Sequence, residues 1–134
     1  MSDAGAVRVD KEVTAVEVIG LMAAVGWGVA SAYDETSVAR SIAAYPFVAH
    51  ARDGVGRLIG YATAFSDGAF SVFIGELVVH PSARRRGVGS RLLAAIDRYA
   101  AGVPIYATPF ADGEGFFLRR GYRRAQRPMS VLFK

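Results

Sequence analysis

The chain has 134 residues, 52% of them hydrophobic, and a formal net charge of +4, enough for one domain (1–134) with a well-filled core. It contains no cysteine, which excludes disulfides, thiolate catalysis and cysteine zinc sites. His50 and His80 stand too far apart in sequence to suggest a metal site. No run approaches the roughly 18 apolar residues of a spanning helix, and the first residues lack the charged-then-apolar layout of a secretory signal. A cytoplasmic protein is expected.

Taken in chain order, residues 1–10 read as a polar lead-in, followed by a strand or extended segment over Val13 to Val18. Helical stretches are expected over about 18–25 and 34–44, the second capped by Asp34 or Thr36. Between them lies Gly26-Trp27-Gly28. An indole gains by burial, so Trp27 reads equally as a core plug or as the wall of a substrate pocket. Strands follow at Phe47 to Arg52 and Leu58 to Phe65, joined by the turn Asp53-Gly54-Val55-Gly56. Ser66-Asp67-Gly68 turns the chain into a long strand, Ala69 to Val79. A helix over Val88 to Ala100 places Leu92, Leu93, Ile96, Tyr99 and Ala100 on one face. A short strand (Val103 to Ala107), a short helix (Gly113 to Arg119) ended by Gly121, and a last strand (Tyr122 to Phe133) complete an α+β order around a mixed sheet.

Charge is unevenly spread. Residues 1–83 hold five Lys/Arg against nine Asp/Glu, and residues 84–134 hold eleven against three. A basic second half suits a polyanion, either a phosphorylated cofactor or a nucleic acid. The basic residues show no reading-helix, zinc or RNP pattern, which favours the cofactor. The glycines of Arg84-Arg85-Arg86-Gly87-Val88-Gly89 fall where a strand passes into a helix N-terminus. Free amides and the positive end of the helix dipole meet there, so the turn reads as a phosphate cradle. The Walker A and dinucleotide glycine patterns both fail on spacing.

Arg84-x-x-Gly87-x-Gly89, preceded by Leu77-Val78-Val79-His80-Pro81 and followed by the apolar helix, resembles the signature of the GCN5-related N-acetyltransferases. Phe116-Phe117-Leu118-Arg119-Arg120-Gly121-Tyr122 resembles that family's second recurrent segment, F-Y-x-K-x-G-F. The order of elements matches from about residue 7 to 133, and the Gly-Trp segment resembles small bacterial members. The resemblance implies the acyl-CoA N-acyltransferase fold, a mostly antiparallel mixed sheet with flanking helices. It also implies acetyl-CoA as cosubstrate and a primary amine as acceptor, of a small molecule in preference to a protein terminus. By this resemblance Leu77, Val78 and Val79 hold the pantetheine arm. The backbone of Arg84, Arg85, Arg86, Gly87, Val88, Gly89 and Ser90 holds the pyrophosphate, with Phe117 beside the cofactor.

Glu76 is the sole acid in the run Val72 to Val79. It is the candidate base, or else an anchor for the substrate cation, and Val78 N–H is the candidate donor to the thioester carbonyl. Phe117 stands where many members carry a tyrosine that protonates the leaving thiolate, so Tyr106 and Tyr122 are the alternative acids. A non-catalytic acetyl-CoA-binding module and a basic nucleic-acid-binding domain stay open as other readings. No metal, nucleic-acid or membrane partner is expected; the apolar Val131-Leu132-Phe133 offers a surface for a homodimer.

Overall fold

The structure, a computed structural model, describes residues 4–134. Its elements run β1 (Val7–Arg8), α1 (Ala15–Ala24), α2 (Glu35–Ala44), β2 (Phe47–Arg52), β3 (Leu58–Ser66), β4 (Val72–Val79), α3 (Val88–Ala100), β5 (Ile105–Tyr106) and α4 (Glu114–Leu118). The strands form one sheet in the order β1-β2-β3-β4-β5. All neighbours are antiparallel except β4 and β5, which are parallel and joined through α3. Among the described residues no helix is long and apolar enough to cross a membrane.

Alternation along the strands gives the sheet two buried faces. Phe47, Ala49, Ala51, Ala62 and Ala64 pack with Leu92, Leu93 and Ile96 of α3. Val48, Leu58, Tyr61 and Val78 pack on the other side with Val18, Leu21 and Met22 of α1 and Ile42 of α2. The small residues on the α3 face let that helix lie close. At Gly60 an added Cβ would stand 2.8 Å from Val88 Cγ1 and 3.0 Å from Leu92 Cδ1.

Three expectations from the sequence are corrected. Val13 to Val18 is no strand: Thr14 and Glu17 form a capping box that starts α1 at Ala15, and the first strand is the short pair Val7–Arg8 within the expected lead-in. The strand expected from Ala69 begins at Val72, because Asp67 Oδ1 accepts from the amides of Ala69, Phe70 and Ser71 at 2.9, 2.8 and 3.3 Å. Those donors are lost to the ladder. The last strand does not form. Beyond Tyr122 the chain runs exposed, with Leu132 at 89% and Phe133 at 98%. Pro128 has no amide to donate, and the neighbouring β5 offers only Ile105 and Tyr106 to pair with.

Candidate active site

The site is built where β4 departs from regular pairing. Ala62 faces Leu77 and Ala64 faces Ile74, so Gly75 and Glu76 together oppose Thr63 in a β-bulge, a distortion that re-aims a side chain. Gly75 is required there: an added Cβ would lie 2.6 Å from Thr63 Oγ1 and run into the Tyr45 hydroxyl. Thr63 is fully buried. Its Oγ1 accepts from Glu76 N–H at 2.9 Å and donates to Glu76 Oε2. The Tyr45 hydroxyl donates to Oε1 at 3.4 Å. Both carboxylate oxygens of the half-buried Glu76 are thus held, Oε2 from β3 and Oε1 from the exit of α2. Burial, and after it the nearby Glu76 charge, push the phenols of Tyr45 and Tyr61 above the usual tyrosine range.

The outer edge of β4 is open. β5 pairs with it only at Val72 and Phe73, and the strands then part. The His80 amide donates to Ile59 O at 2.8 Å, which fixes the phase of the antiparallel ladder. Val78, opposite Tyr61, directs its amide and carbonyl towards β3, whereas Leu77 and Val79 direct theirs into the gap. The Val78 side chain is buried against α1 and α2.

Beyond the strand, Pro81–Ala83 makes one 3-10 turn, and Arg85 and Gly87 adopt left-handed φ of 65° and 78°. Gly87 caps α3 without a side-chain acceptor. The first amide with an intrahelical partner is that of Arg91, bonded to Gly87 O at 3.0 Å. The amides of Val88, Gly89 and Ser90 therefore remain for an acceptor from outside. The exposed side chains of Arg84, Arg85 and Arg86 have no acidic partner among the described residues.

Sequence reasoning missed a further cation beside this turn. Arg120 Nε and Nη2 donate to Ser90 Oγ at 2.8 and 2.5 Å, and Nη1 donates to Phe116 O at 2.9 Å. The guanidinium lies 3.8 Å from the Phe116 ring centroid. Phe116 in turn packs on α3: a Cβ at Gly89 would meet its ring at 3.0 Å. All of these partners are uncharged, so Arg120 keeps its positive charge at the start of α3.

The remaining predicted residues separate. Phe117 packs edge-on against Tyr122, with ring centroids 5.2 Å apart. The Tyr122 hydroxyl is buried without a partner among the described residues, and burial, with Asp97 second, pushes it up to about 12. Tyr106 is exposed and stacks on Phe73 at 5.2 Å, level with the start of β4 and not with Glu76. Trp27 is half-buried, edge-on to Phe110 at 6.1 Å, and its carbonyl accepts from the Tyr33 hydroxyl. It lines neither of the two cavities found on the α1–α2 face. Thr63 and Tyr45 were also missed. Thr63 had a signal, as the one aliphatic hydroxyl within the apolar stretch Leu58 to Phe65; Tyr45, at a helix exit, had none.

Comparison with known proteins places this geometry. The model of the acetyltransferase (GNAT) family matches residues 22–124. A mycothiol acetyltransferase of Kineococcus radiotolerans is 42% identical over 79 residues, which is 55% of this chain and 25% of that protein; the chain thus spans about a quarter of that curated relative's length. Among solved structures, a protein of unknown function from meticillin-resistant Staphylococcus aureus has a TM-score of 0.77 at 17% identity, over 95% of this chain and 99% of its own. A GNAT-family acetyltransferase of Streptococcus pneumoniae has a TM-score of 0.73 at 22% identity, over 96% of both chains. An aminoglycoside N-acetyltransferase in complex with CoA has a TM-score of 0.71 at 18% identity, over 96% of this chain and 93% of its own. At these identities the structural likenesses speak for the fold.

Proposed function

We propose that this chain, which belongs to the acetyltransferase (GNAT) family, is an acetyl-CoA-dependent N-acetyltransferase acting on the primary amine of a small molecule. The observation that carries the proposal is the conjunction at β4: a carboxylate held in a bulge beside a stretch of strand edge left unpaired. The residues present fit the cosubstrate. Leu77 and Val79 turn main-chain donors and acceptors into the gap beside β5, as an amide-bearing pantetheine arm requires. Val88, Gly89 and Ser90 present uncapped amides at a helix N-terminus, and Arg120 adds charge for a diphosphate. Arg84, Arg85 and Arg86 contribute chiefly through the backbone of the turn.

Acetyl-CoA, when bound, supplies the acetyl group as a thioester. At pH 7 about one alkylamine molecule in a few thousand is neutral, so a proton must leave before nitrogen can attack. Glu76 accepts it, directly or through one water, while Thr63 and Tyr45 keep the carboxylate aimed. A C–N bond forms, the C–S bond breaks, the electron pair leaves on sulfur, and the second proton, lost from nitrogen as the amide forms, passes to that thiolate or to solvent. The donor to the carbonyl oxygen is assigned to Leu77 N–H in place of Val78, because the Val78 amide belongs to the β3 ladder. A thiol pKa of roughly 8.5 lets the thiolate leave without a protein acid. Tyr106, on the strand that walls the gap, is the more accessible of the two candidate hydroxyls, and Tyr122 is enclosed against Phe117.

The test is thiol release from acetyl-CoA with a panel of amines, read beside calorimetry of acetyl-CoA binding. Binding together with amine-dependent release is expected. Binding without release from any amine would favour the non-catalytic module, a reading kept alive by Phe117. Absence of binding by folded protein would end both readings.

A further inference from the structure

The two cavities on the α1–α2 face flank Tyr33. The inner one, about 290 Å³, is bounded by Tyr61 and Glu76 on the sheet and by Asp34 at the start of α2. The outer one, about 450 Å³, carries Glu35. Among the described residues neither is lined by a lysine or arginine, although the chain has sixteen of them. Asp34 stays ionised because the hydroxyl and amide of Ser37 donate to it at 2.7 and 3.0 Å and hold it below the usual carboxylate range. Tyr61 is 2% exposed and lines the inner cavity. Besides burial, the nearby Glu76 charge acts on its phenol, so a ligand held beside Glu76 meets a hydroxyl able to donate or accept.

We infer that the acceptor binds in the inner cavity with its nitrogen between the Tyr61 hydroxyl and the Glu76 carboxylate, and that it is a small cationic amine carrying no anionic group. The inference rests on the acetyltransferase reading of Glu76 and adds the substrate class. A carboxylate or phosphate on the acceptor would face Glu76 and Asp34 with no lysine or arginine to meet it, a repulsive element that excludes amino acids and phosphorylated amines. The hydrocarbon body has apolar walls in Val18, Met22 and Ile42. The volume, about ten waters' worth, suits a free small molecule.

The experiment pairs each amine with its carboxylated counterpart in thiol release: 1,5-diaminopentane against lysine, and 2-phenylethylamine against phenylalanine. A kcat/KM at least tenfold higher for the decarboxylated member of each pair is expected. The lower pKa of an α-amino group gives the amino acid more neutral amine, so that bias runs against the expectation. Asp34→Asn keeps a competent helix cap and should narrow the gap severalfold. Tyr61→Phe should raise KM for the amine about tenfold and leave acetyl-CoA affinity unchanged. Equal kcat/KM within the pairs, a gap indifferent to Asp34→Asn, or an amine KM indifferent to Tyr61→Phe overturns the inference. Should no amine support release, calorimetry of the CoA-loaded protein decides with the same compounds. Selective binding of the decarboxylated members keeps the site while removing the catalytic reading, and binding of neither member overturns it.

Discussion

Glu76 could be singled out from one line of sequence because a single acid in a buried strand must have a use or a partner. Its partners could not, since the bulge that brings Thr63 and Tyr45 to it arises from strand register, which sequence specifies only weakly once glycine interrupts a strand. Glu76→Gln keeps size and hydrogen bonding while removing the proton acceptor. It should lower kcat by about 10²–10⁴-fold and leave the calorimetric affinity for acetyl-CoA unchanged; an unchanged kcat would remove Glu76 from the mechanism. A second carboxylate has a stability role. Glu17 caps α1 and bonds Arg52 Nη1 at 2.5 Å, and that guanidinium is the first cause of a pKa lowered from 4.5 to about 2. A lowered folded-state pKa means the contribution is complete above the unfolded value and is lost as pH falls from about 4.5 towards 2. Glu17→Ala removes cap and ion pair together. The expected cost is about 1–3 kcal/mol in urea denaturation at neutral pH, shrinking in the same measurement near pH 3.

At the scale of elements, α3 was legible to the residue, because its apolar stripe and its flanking glycines agree. α1 was displaced by several residues: Val13, Val16 and Val18 carry a strand composition, and the capping box Thr14–Glu17 overrides it. The missing last strand is a failure of the same kind. Its apolar residues satisfy a pattern, yet Pro128 and a two-residue neighbour leave too few ladder bonds to hold it. The contact between α3 and β3 yields a direct prediction. Gly60→Ala inserts a methyl where Val88 and Leu92 already touch the backbone, and should cost about 1–3 kcal/mol by overpacking, seen as a lower urea midpoint with an unchanged slope. Gly87→Val acts at the other end of the junction. It puts a branched residue at a φ of 78° and a side chain over the amide-lined turn. Affinity for acetyl-CoA should fall at least tenfold by calorimetry, and retained affinity would refute the cradle.

Over the whole molecule the charge asymmetry read from composition becomes spatial. Acids gather on the α1–α2 side, with Asp34, Glu35 and Glu76 around the cavities. Cations gather where β4 runs into α3, with Arg84, Arg85, Arg86 and Arg120 around one turn. A polyanionic carrier and a cationic acceptor would thus approach from opposite faces of one sheet, each drawn to its own side. Acetyl-CoA affinity should therefore weaken severalfold between about 50 and 500 mM salt, since exposed arginines are screened over a Debye length that shrinks below 10 Å. An affinity independent of salt would assign the grip to main-chain groups alone. The sequence foretold the two charge pools but not the wall between them, because the wall is the sheet itself.

The parting of β4 from β5 carries one more implication. Folding ordinarily consumes a strand's capacity for hydrogen bonding, whereas here the groups of Leu77 and Val79 are held in reserve. What they can recognise is a train of amide linkages and the carbonyl that ends it, not the length of the chain beyond that carbonyl. Selection between acyl chains of different length then has to come from the crowding at the bulge by Gly75, Thr63 and Tyr45, so that trimming Tyr45 should widen the choice of acyl donor without loosening the hold on the carrier.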